Sequence, residues 1–199
     1  MVELSRRRVE DGRQIPAEQK VLSVADPDAA FIKKGQREPA IGYRPQVARS
    51  GNGLIGYLHV PEGNAADAPQ LVGAVEGWAQ STGRVPDLVS TDDGYTSTEG
   101  RDRLEEMGVE TVSFSGSKGR RLLGEWEWWD EERMRARQER PAVESLMFTL
   151  KYCYRFGHLS RRGIEAVRAE LWEDVLAYNF FRIVQLERRA EPEKVPRAA

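Results

Sequence analysis

Two reactive residue types are scarce in this chain of 199 residues, which has one cysteine, Cys153, and two histidines, His59 and His158. A single cysteine excludes a disulfide within the chain and makes a reducing cytoplasm the natural compartment. The histidines are isolated and lack the spacing of metal ligands, and none stands near Cys153 in a pattern that indicates a nucleophile. We therefore expect structural roles for all three residues.

Long apolar runs are also missing, as is an excess of positive charge. No run of about 18 apolar residues exists, so we expect no membrane span. The first eight residues include Arg6, Arg7 and Arg8 and lack the apolar core of a signal peptide. Lysine and arginine number 30 against 32 acidic residues, for a net charge of -2. This balance removes the global basic signature that many nucleic-acid-binding proteins show.

The basic residues are nevertheless clustered, and clusters matter more than the net charge when the target is a phosphate backbone. The clusters lie at residues 6–8, 33–34, 118–121, 133–140 and 161–162. Any single cluster is explained equally well as solvated surface. The charge pattern therefore permits a nucleic-acid partner without requiring one.

Apolar periodicity and turn residues predict alternating strands and helices. Strands are predicted at residues 20–25, 88–91 and 109–114, and a hairpin from residues 41–49 and 54–60 around Gly51-Asn52-Gly53. Helices are predicted at residues 67–80, with Asp67 as N-cap, and at residues 97–107, 137–154 and 162–188. This order predicts an α/β fold with a mixed sheet flanked by helices.

The same pattern divides the chain into an arm, a domain and a tail. We expect a polar N-terminal arm at residues 1–19, one domain at residues 20–188 and a charged, flexible tail at residues 189–199. Residues 115–129 are predicted as a loop that holds Trp126, Trp128 and Trp129. These tryptophans suit stacking on unpaired bases, but packing of the loop onto the domain is the more ordinary explanation.

Asp92 and Glu144 are the residues that best suit catalytic chemistry. Asp92 follows the strand at residues 88–91, and ligands collect at the carboxyl ends of strands in open α/β sheets. Glu144 lies on a predicted helix that also carries Arg140 and Lys151 on the same face. Mg²⁺ takes oxygen ligands, and two such ions can stabilise the attacking and leaving oxygens of a phosphodiester. On spacing alone, however, a ladder of surface salt bridges explains the helical row better.

Several stretches from about Ile15 to Leu186 resemble, in order and spacing, the C-terminal part of DDE-type transposases of bacterial insertion sequences. The matching stretches are IPAEQKVLSV, DPDAAFIKKG, GYRPQV, GLIGYLHVPEGNAAD, PDLVSTDDGYTS and GIEAVRAELWEDVLAYNFFRI. The resemblance implies an RNase H-like fold and an Asp-Asp-Glu triad that works with two Mg²⁺ or Mn²⁺ ions. It also implies double-stranded DNA, both insertion-sequence ends and target, as the substrate.

The resemblance assigns roles to residues of this chain. Asp92 matches the second aspartate of the triad and Glu144 matches the glutamate, so these two residues are the implied metal ligands. Arg140 and Lys151 match the basic positions of the family's helix signature, which implies contacts with the phosphates of transposon ends. Arg137 departs from the signature, because it stands where the family has a tyrosine.

A second departure concerns the first aspartate of the triad, which the family carries upstream of the DPDA stretch. This chain begins too late to include it, so we expect a fragment, incomplete at its N-terminus, of a degraded or frame-split insertion sequence. Such a fragment is expected to be inactive in strand transfer. Asp26 or Asp28 could replace the missing residue, but Asp26-Pro27-Asp28 is more simply a turn.

Two other functional hypotheses stay open beside an active transposase domain. The chain could be a non-catalytic remnant that binds DNA, or that pairs as a homodimer or with full-length transposase. It could also be an unrelated α/β domain with a chance pair of carboxylates. The missing first aspartate favours the remnant, whereas the ordered stretches disfavour the unrelated domain.

Overall fold

The computed structural model describes residues 6, 9–12, 23–32, 38 and 40–190. The strands in this part are β1 (Ala30–Ile32), β2 (Ala40–Gly42), β3 (Gln46–Arg49), β4 (Ile55–His59), β5 (Leu88–Thr91) and β6 (Thr111–Phe114). The helices are α1 (Gln70–Thr82), α2 (Thr98–Glu106), α3 (Gly116–Trp128), α4 (Glu131–Glu139), α5 (Pro141–Cys153) and α6 (Ile164–Ala190). A short 3-10 helix occupies Asp93–Tyr95. The predicted α/β class is confirmed.

The described strands form three two-stranded sheets rather than the single mixed sheet that the sequence predicts. β1 pairs with β2 and β3 with β4, both antiparallel, whereas β5 pairs with β6 in parallel. The parallel pair needs a crossover connection, and α2 supplies it. Both strand orientations of a mixed sheet are therefore present, while the RNase H-like arrangement stays a prediction.

The predicted hairpin is confirmed as β3 and β4, with Gln46 opposite His59. Its turn is closed by the N–H of Ser50, which donates to the carbonyl of Leu54 at 2.8 Å. Gly53 has a φ of 91° there, a conformation that favours glycine. The predicted run at residues 41–49 is nevertheless two strands, because Pro45 lacks an N–H group and separates β2 from β3.

The predicted loop at residues 115–129 is wrong, because this segment is helix α3. Gly124 has φ 72° and ψ 172°, and this kink breaks the regular spacing from which a helix is predicted. The predicted helix at residues 137–154 is also two elements, α4 and α5. The break lies at Arg140-Pro141, where a proline at the first position suits the start of a helix.

Predicted element ends differ from the structure at both ends of the chain. Of the predicted strand at residues 20–25, the structure describes residues 23–25, which are not a strand, and the remainder lies outside the described residues. The predicted arm at residues 1–19 also lies mostly outside them. Helix α6 continues to Ala190, two residues beyond the predicted helix end at residue 188. No helix in the described ranges is long and apolar enough to cross a membrane.

The buried apolar side chains form two clusters. The first lies between the β3–β4 hairpin, α5 and α6, and consists of Ile55, Leu58, Val60, Leu146, Leu150, Phe156, Val167, Leu171 and Val175. The second lies around the β5–β6 pair and consists of Leu71, Val75, Leu104, Val109, Val112, Phe114 and Leu123. Hydrophobic burial in the first cluster holds the hairpin on the long helix, and burial in the second holds α1, α2 and α3 around the parallel strands.

We predict that Gly119→Ala destabilises the fold by about 1–3 kcal/mol, since overpacking a core costs that much. A Cβ at Gly119 in α3 would lie 2.6 Å from the Cβ of Phe114 and 2.9 Å from its carbonyl oxygen. Gly73 in α1 is the matched control, because a Cβ there meets nothing within 4 Å. Gly73→Ala should stabilise by roughly 0.5–1 kcal/mol, the usual gain from alanine in a helix. Urea unfolding measures both, and equal effects would contradict the packing of α3 on β6.

Candidate functional site

Asp92 lies directly after β5, where the sequence predicts it, and forms the first residue of a tight turn. Its Oδ1 accepts a hydrogen bond from the backbone N–H of Gly94 at 2.8 Å. Asp92 therefore acts as the N-cap of the 3-10 helix that follows. The side chain is half-buried, and Oδ2 is left for another partner.

The neighbouring Asp93 serves a different purpose. Its Oδ1 accepts hydrogen bonds from the N–H groups of Lys118 at 2.8 Å and Gly119 at 3.0 Å. These are N–H groups of the first turn of α3, and the N-cap residue Ser115 makes no side-chain cap of its own. Asp93 thus caps α3 from across the β5–β6 pair, and Asp92 is the carboxylate available for chemistry.

A second carboxylate, that of Asp67, approaches Asp92 at Gly94. A Cβ on Gly94 would lie 2.7 Å from Oδ2 of Asp67 and 3.0 Å from Oδ1 of Asp92. The two oxygens are therefore no farther apart than the sum of these distances. The predicted N-cap role of Asp67 is wrong, because α1 begins at Gln70 with Pro69 as its N-cap and no side-chain cap.

The side chains of Arg44, Gln46 and Tyr95 surround these two carboxylates. A guanidinium N–H of Arg44 donates to Oδ2 of Asp67, and the Gln46 Nε2 donates to Oδ1 of Asp67 at the long distance of 3.5 Å. Burial, followed by the negative charges of Asp67 and Asp92, raises the pKa of Tyr95. The Tyr95 phenol is therefore neutral, and the guanidinium of Arg44 is the counter-ion of Asp67.

Some residues in or next to the segments that form this group have buried side-chain oxygens without hydrogen-bond partners. Among the described residues they include the Oε1 of Gln46, which is 5% exposed, and the Oγ1 atoms of Thr91 and Thr96. Thr91 and Thr96 flank the turn that begins at Asp92. Buried polar atoms are normally hydrogen-bonded. Gln46 contacts Asp67 through its amide, so its unpartnered Oε1 indicates that a further group belongs near the carboxylates.

Glu144 and its two basic neighbours lie on or next to α5. The Oε1 of Glu144 is 3.2 Å from a guanidinium nitrogen of Arg140, which is the junction residue between α4 and α5. Lys151 is exposed in the last turn of α5. The salt bridge that the spacing indicates is thus present, and such surface pairs contribute little stability. Convergence of Glu144 with Asp92, and DNA contacts by Arg140 and Lys151, stay predictions.

Within the described residues, no group of three or more His, Cys, Asp or Glu side chains is arranged to hold a metal ion. A cavity of about 420 Å³ between the β3–β4 hairpin, α1 and α6 does not suit one either. Its lining includes Trp78, Trp172 and Ile183 and contains no charged side chain. The oxygen-rich surroundings of Asp92 are therefore the better candidate for a cation.

Asp26 and Asp28, the candidate replacements for the first aspartate, contact the start of α6. Oδ1 of Asp26 accepts hydrogen bonds from the Tyr43 hydroxyl at 2.7 Å and from the N–H of Gly163 at 3.1 Å. Oδ2 of Asp28 accepts one from the N–H of Ile164 at 2.9 Å. Both carboxylates thus stabilise the helix N-terminus, a structural role that accounts for them.

The three tryptophans of the predicted loop have separate environments. Trp128 packs against the β5–β6 core, and the guanidinium of Arg137 lies 4.0 Å from the centre of its ring. Trp126 is 92% exposed. Trp129 is also largely exposed, and its Nε1 donates to Glu125 at 3.0 Å. Packing onto the domain, the more ordinary explanation of the three tryptophans, therefore applies to Trp128 and not to the exposed Trp126 and Trp129.

Sequence reasoning missed the approach of Asp67, with Arg44 and Gln46, to Asp92. The EGNAAD stretch that ends at Asp67 belongs to the resemblance to the transposase family. The sequence nevertheless predicts a helix N-cap at Asp67, and this local role gives no reason to place Asp67 in the site. No local spacing links Asp67 to Asp92, since the two are joined only through α1 and β5. Tertiary structure was needed to show them together.

Comparison with known proteins gives one match. The model of a family described as "Transposase DDE domain" matches residues 8–180 of the chain. No curated protein and no solved structure matches it. The matched range contains Asp67, Asp92, Arg140, Glu144 and Lys151.

We predict that Asp93→Ala destabilises the fold by about 1–2 kcal/mol, because the exposed N–H of Lys118 and the partly buried N–H of Gly119 lose the acceptor that caps α3. Asp92→Asn is the control, since its amide oxygen can still accept from Gly94, and it should cost less than about 1 kcal/mol. Urea unfolding of both variants provides the measurement. A larger loss for Asp92→Asn would mean that Asp92, and not Asp93, supports the turn.

Proposed function

The chain belongs to the family of transposases with a DDE domain, and we propose that it acts in DNA transposition by metal-dependent cleavage and joining of strands at insertion-sequence ends. The structural observation that supports this proposal is the position of Asp92. It follows a strand of the parallel β5–β6 pair and lies beside a second carboxylate, that of Asp67, which contacts the amide of Gln46. The side-chain oxygen of Gln46 has no hydrogen-bond partner. Such a site suits the hard divalent cations on which the family's chemistry depends.

We propose Asp92 and Glu144 as ligands of Mg²⁺ or Mn²⁺, as the resemblance implies. The donor chemistry fits, because carboxylate oxygens are the ligands that these ions prefer. When bound, the ions would stabilise charge on the attacking and leaving oxygens of the phosphodiester. Glu144 can turn toward an ion at low cost, since its salt bridge with Arg140 is exposed and such pairs are worth about 0–1 kcal/mol.

The chain's own cations and its buried phenol have supporting roles in this proposal. Arg140 and Lys151 lie at opposite ends of α5 and would bind phosphates of duplex DNA along that helix. Tyr95 is half-buried, and the negative charge of Asp92 contributes to its raised pKa, so we assign it the role of an uncharged neighbour of the carboxylate. A DNA substrate, together with a lone exposed cysteine, suits action in the cytoplasm.

We also propose that the strands are part of an RNase H-like arrangement. A parallel pair with a helical crossover and an antiparallel hairpin packed on helices are both compatible with it. Copies of this chain or full-length transposase are the proposed protein partners, because strand transfer must bring two DNA ends together.

The alternative is a non-catalytic remnant that binds DNA without cutting it. The observation in its favour is that the resemblance matches two of the three triad carboxylates, Asp92 and Glu144. Incubation of the purified chain with matched transposon ends and Mg²⁺ or Mn²⁺ separates the two functions. Joined products require an active domain, whereas retained binding without products identifies the remnant.

We predict that the chain binds duplex DNA in a salt-sensitive way and that Lys151→Ala weakens this binding. Each lost phosphate contact should reduce the slope of log affinity against log salt by about 0.9. Glu144→Gln should leave binding in the absence of metal unchanged or slightly tighter, since it removes a negative charge near phosphates. A salt titration of duplex binding measures all three proteins.

Arg84→Ala is the matched control for this titration. Arg84 is exposed, pairs with Asp87 at 2.6 Å, and precedes β5, at the opposite end of the strand from Asp92. Its loss should leave the salt slope unchanged. Equal slopes for wild type and Lys151→Ala would remove Lys151 from the DNA-binding surface, and absence of any duplex binding would contradict the proposed function.

A further inference from the structure

We propose that Asp67 and Asp92 together hold one divalent cation, with the side-chain oxygen of Gln46 as a further ligand. This inference rests on the proposed function for the role of the ion, while its position comes from the contacts at Gly94. Neither Asp67 nor Gln46 is among the residues that the resemblance assigns to metal binding. Asp67 and Gln46 would therefore join Asp92 as ligands of the cation, although the Asp-Asp-Glu pattern does not include them.

The spacing of the two carboxylates is the first observation. Oδ2 of Asp67 and Oδ1 of Asp92 lie 2.7 Å and 3.0 Å from the same point, the position of an absent Cβ on Gly94. Two oxygens that bind one cation at about 2.0–2.6 Å lie up to roughly 5 Å apart. The two oxygens are therefore no farther apart than the sum of their distances to that point, a range that includes the separations that one ion bridges.

The unpartnered oxygen of Gln46 is the second and independent observation. Gln46 is 5% exposed, and its amide meets Asp67 through a hydrogen bond of 3.5 Å, at the limit of the interaction. Its Oε1 has no partner. The amide nitrogen, and not Oε1, faces Asp67, so Oε1 reaches the ion only after the amide turns over. That orientation places Oε1 against a carboxylate oxygen, which is unfavourable unless a cation lies between them. A bound ion gives this buried oxygen a partner.

Charge balance is the third observation. Asp67 has a side chain that is 14% exposed, and Asp92 is half-buried beside it. Arg44 compensates one negative charge, and Tyr95 is neutral. Two carboxylates held close together in a partly buried site repel each other unless positive charge is added. A divalent cation supplies that charge, and the Arg44 side chain, 35% exposed, has room to shift as the ion binds.

Arg44 is also the basis of the competing explanation. In that case the guanidinium is the permanent counter-ion of Asp67, and the cluster serves only to hold α1 near β3 and the turn at Asp92. A purely structural cluster and a cation site differ in one measurable way. Removing the Asp67 charge lowers cation affinity in the second case and leaves it unchanged in the first.

The experiment is a titration of the full chain with Mn²⁺, followed by the loss of the free-ion electron paramagnetic resonance signal. We expect Asp67→Asn and Asp92→Asn each to weaken Mn²⁺ binding about tenfold or more, as loss of a ligand or its support does. Gly94→Ala should also weaken binding, because its Cβ would occupy the space between the carboxylates. The backbone of Gly94 does not require glycine, since it is absent from the residues of positive φ.

Asp87→Asn is the matched control. This exposed carboxylate pairs with Arg84 before β5, away from the turn. Its variant should bind Mn²⁺ with wild-type affinity. Circular dichroism tests whether each variant is folded. If Asp67→Asn does not fold, the Mn²⁺ affinities of Gly94→Ala and the isosteric Gln46→Met decide whether the cation binds beside Asp67.

Three results would overturn the inference. If Asp67→Asn binds Mn²⁺ with wild-type affinity, Asp67 is a structural residue. Where Asp67→Asn does not fold, wild-type Mn²⁺ affinity in both Gly94→Ala and Gln46→Met leads to the same conclusion. A second contradicting result is that Glu144→Gln and Asp92→Asn bind Mn²⁺ more weakly while Asp67→Asn does not. This result would place the ion between Asp92 and Glu144. It would uphold the proposed function and contradict the added site. Absence of Mn²⁺ binding to the wild type would reject the site. The proposed function would still be tested independently by the salt dependence of DNA binding.

Discussion

The hydrogen bonds from the start of α3 to one oxygen of Asp93 determine where the candidate site lies. Asp93 Oδ1 accepts from two backbone N–H groups across the parallel pair, so the turn after β5 is joined to the helix after β6. Gly119 allows the helix to come this close, because a side chain there would collide with Phe114. With Asp93 committed to the helix, Asp92 is presented at the carboxyl end of β5 and remains available for chemistry.

The surroundings of Asp92 combine features that are costly in a merely structural turn. The carboxylate of Asp67 approaches it at Gly94, and the phenol of Tyr95 nearby is neutral. Asp67 in turn contacts the guanidinium of Arg44 and the amide of Gln46, whose buried oxygen has no partner. Unsatisfied buried oxygens reduce stability, and functional sites are where proteins retain them. The chain belongs to the transposase DDE domain family, whose chemistry generally depends on divalent cations, and oxygen ligands are what such cations prefer.

Local pattern in the sequence predicted the elements around Asp92 well and its neighbours poorly. The strand before Asp92, the helix that Ser97 caps and the β3–β4 hairpin follow from periodicity and turn residues, and all are confirmed. Helix α3 was missed because its kink at Gly124 disrupts the helical spacing. The approach of Asp67 to Asp92 has no signature along the chain, since it depends on how α1 packs against β4 and α2.

A divalent cation bound at the turn after β5 can be located by cleavage of the backbone with bound iron. Fe²⁺ takes the place of Mg²⁺, and with ascorbate and peroxide it generates hydroxyl radicals that cut the chain near the ion. We expect cuts near Gln46, near Asp67 and at residues 92–96, all suppressed by excess Mg²⁺. Cuts spread along the chain, or confined to the start of α5 around Glu144, would contradict this expectation.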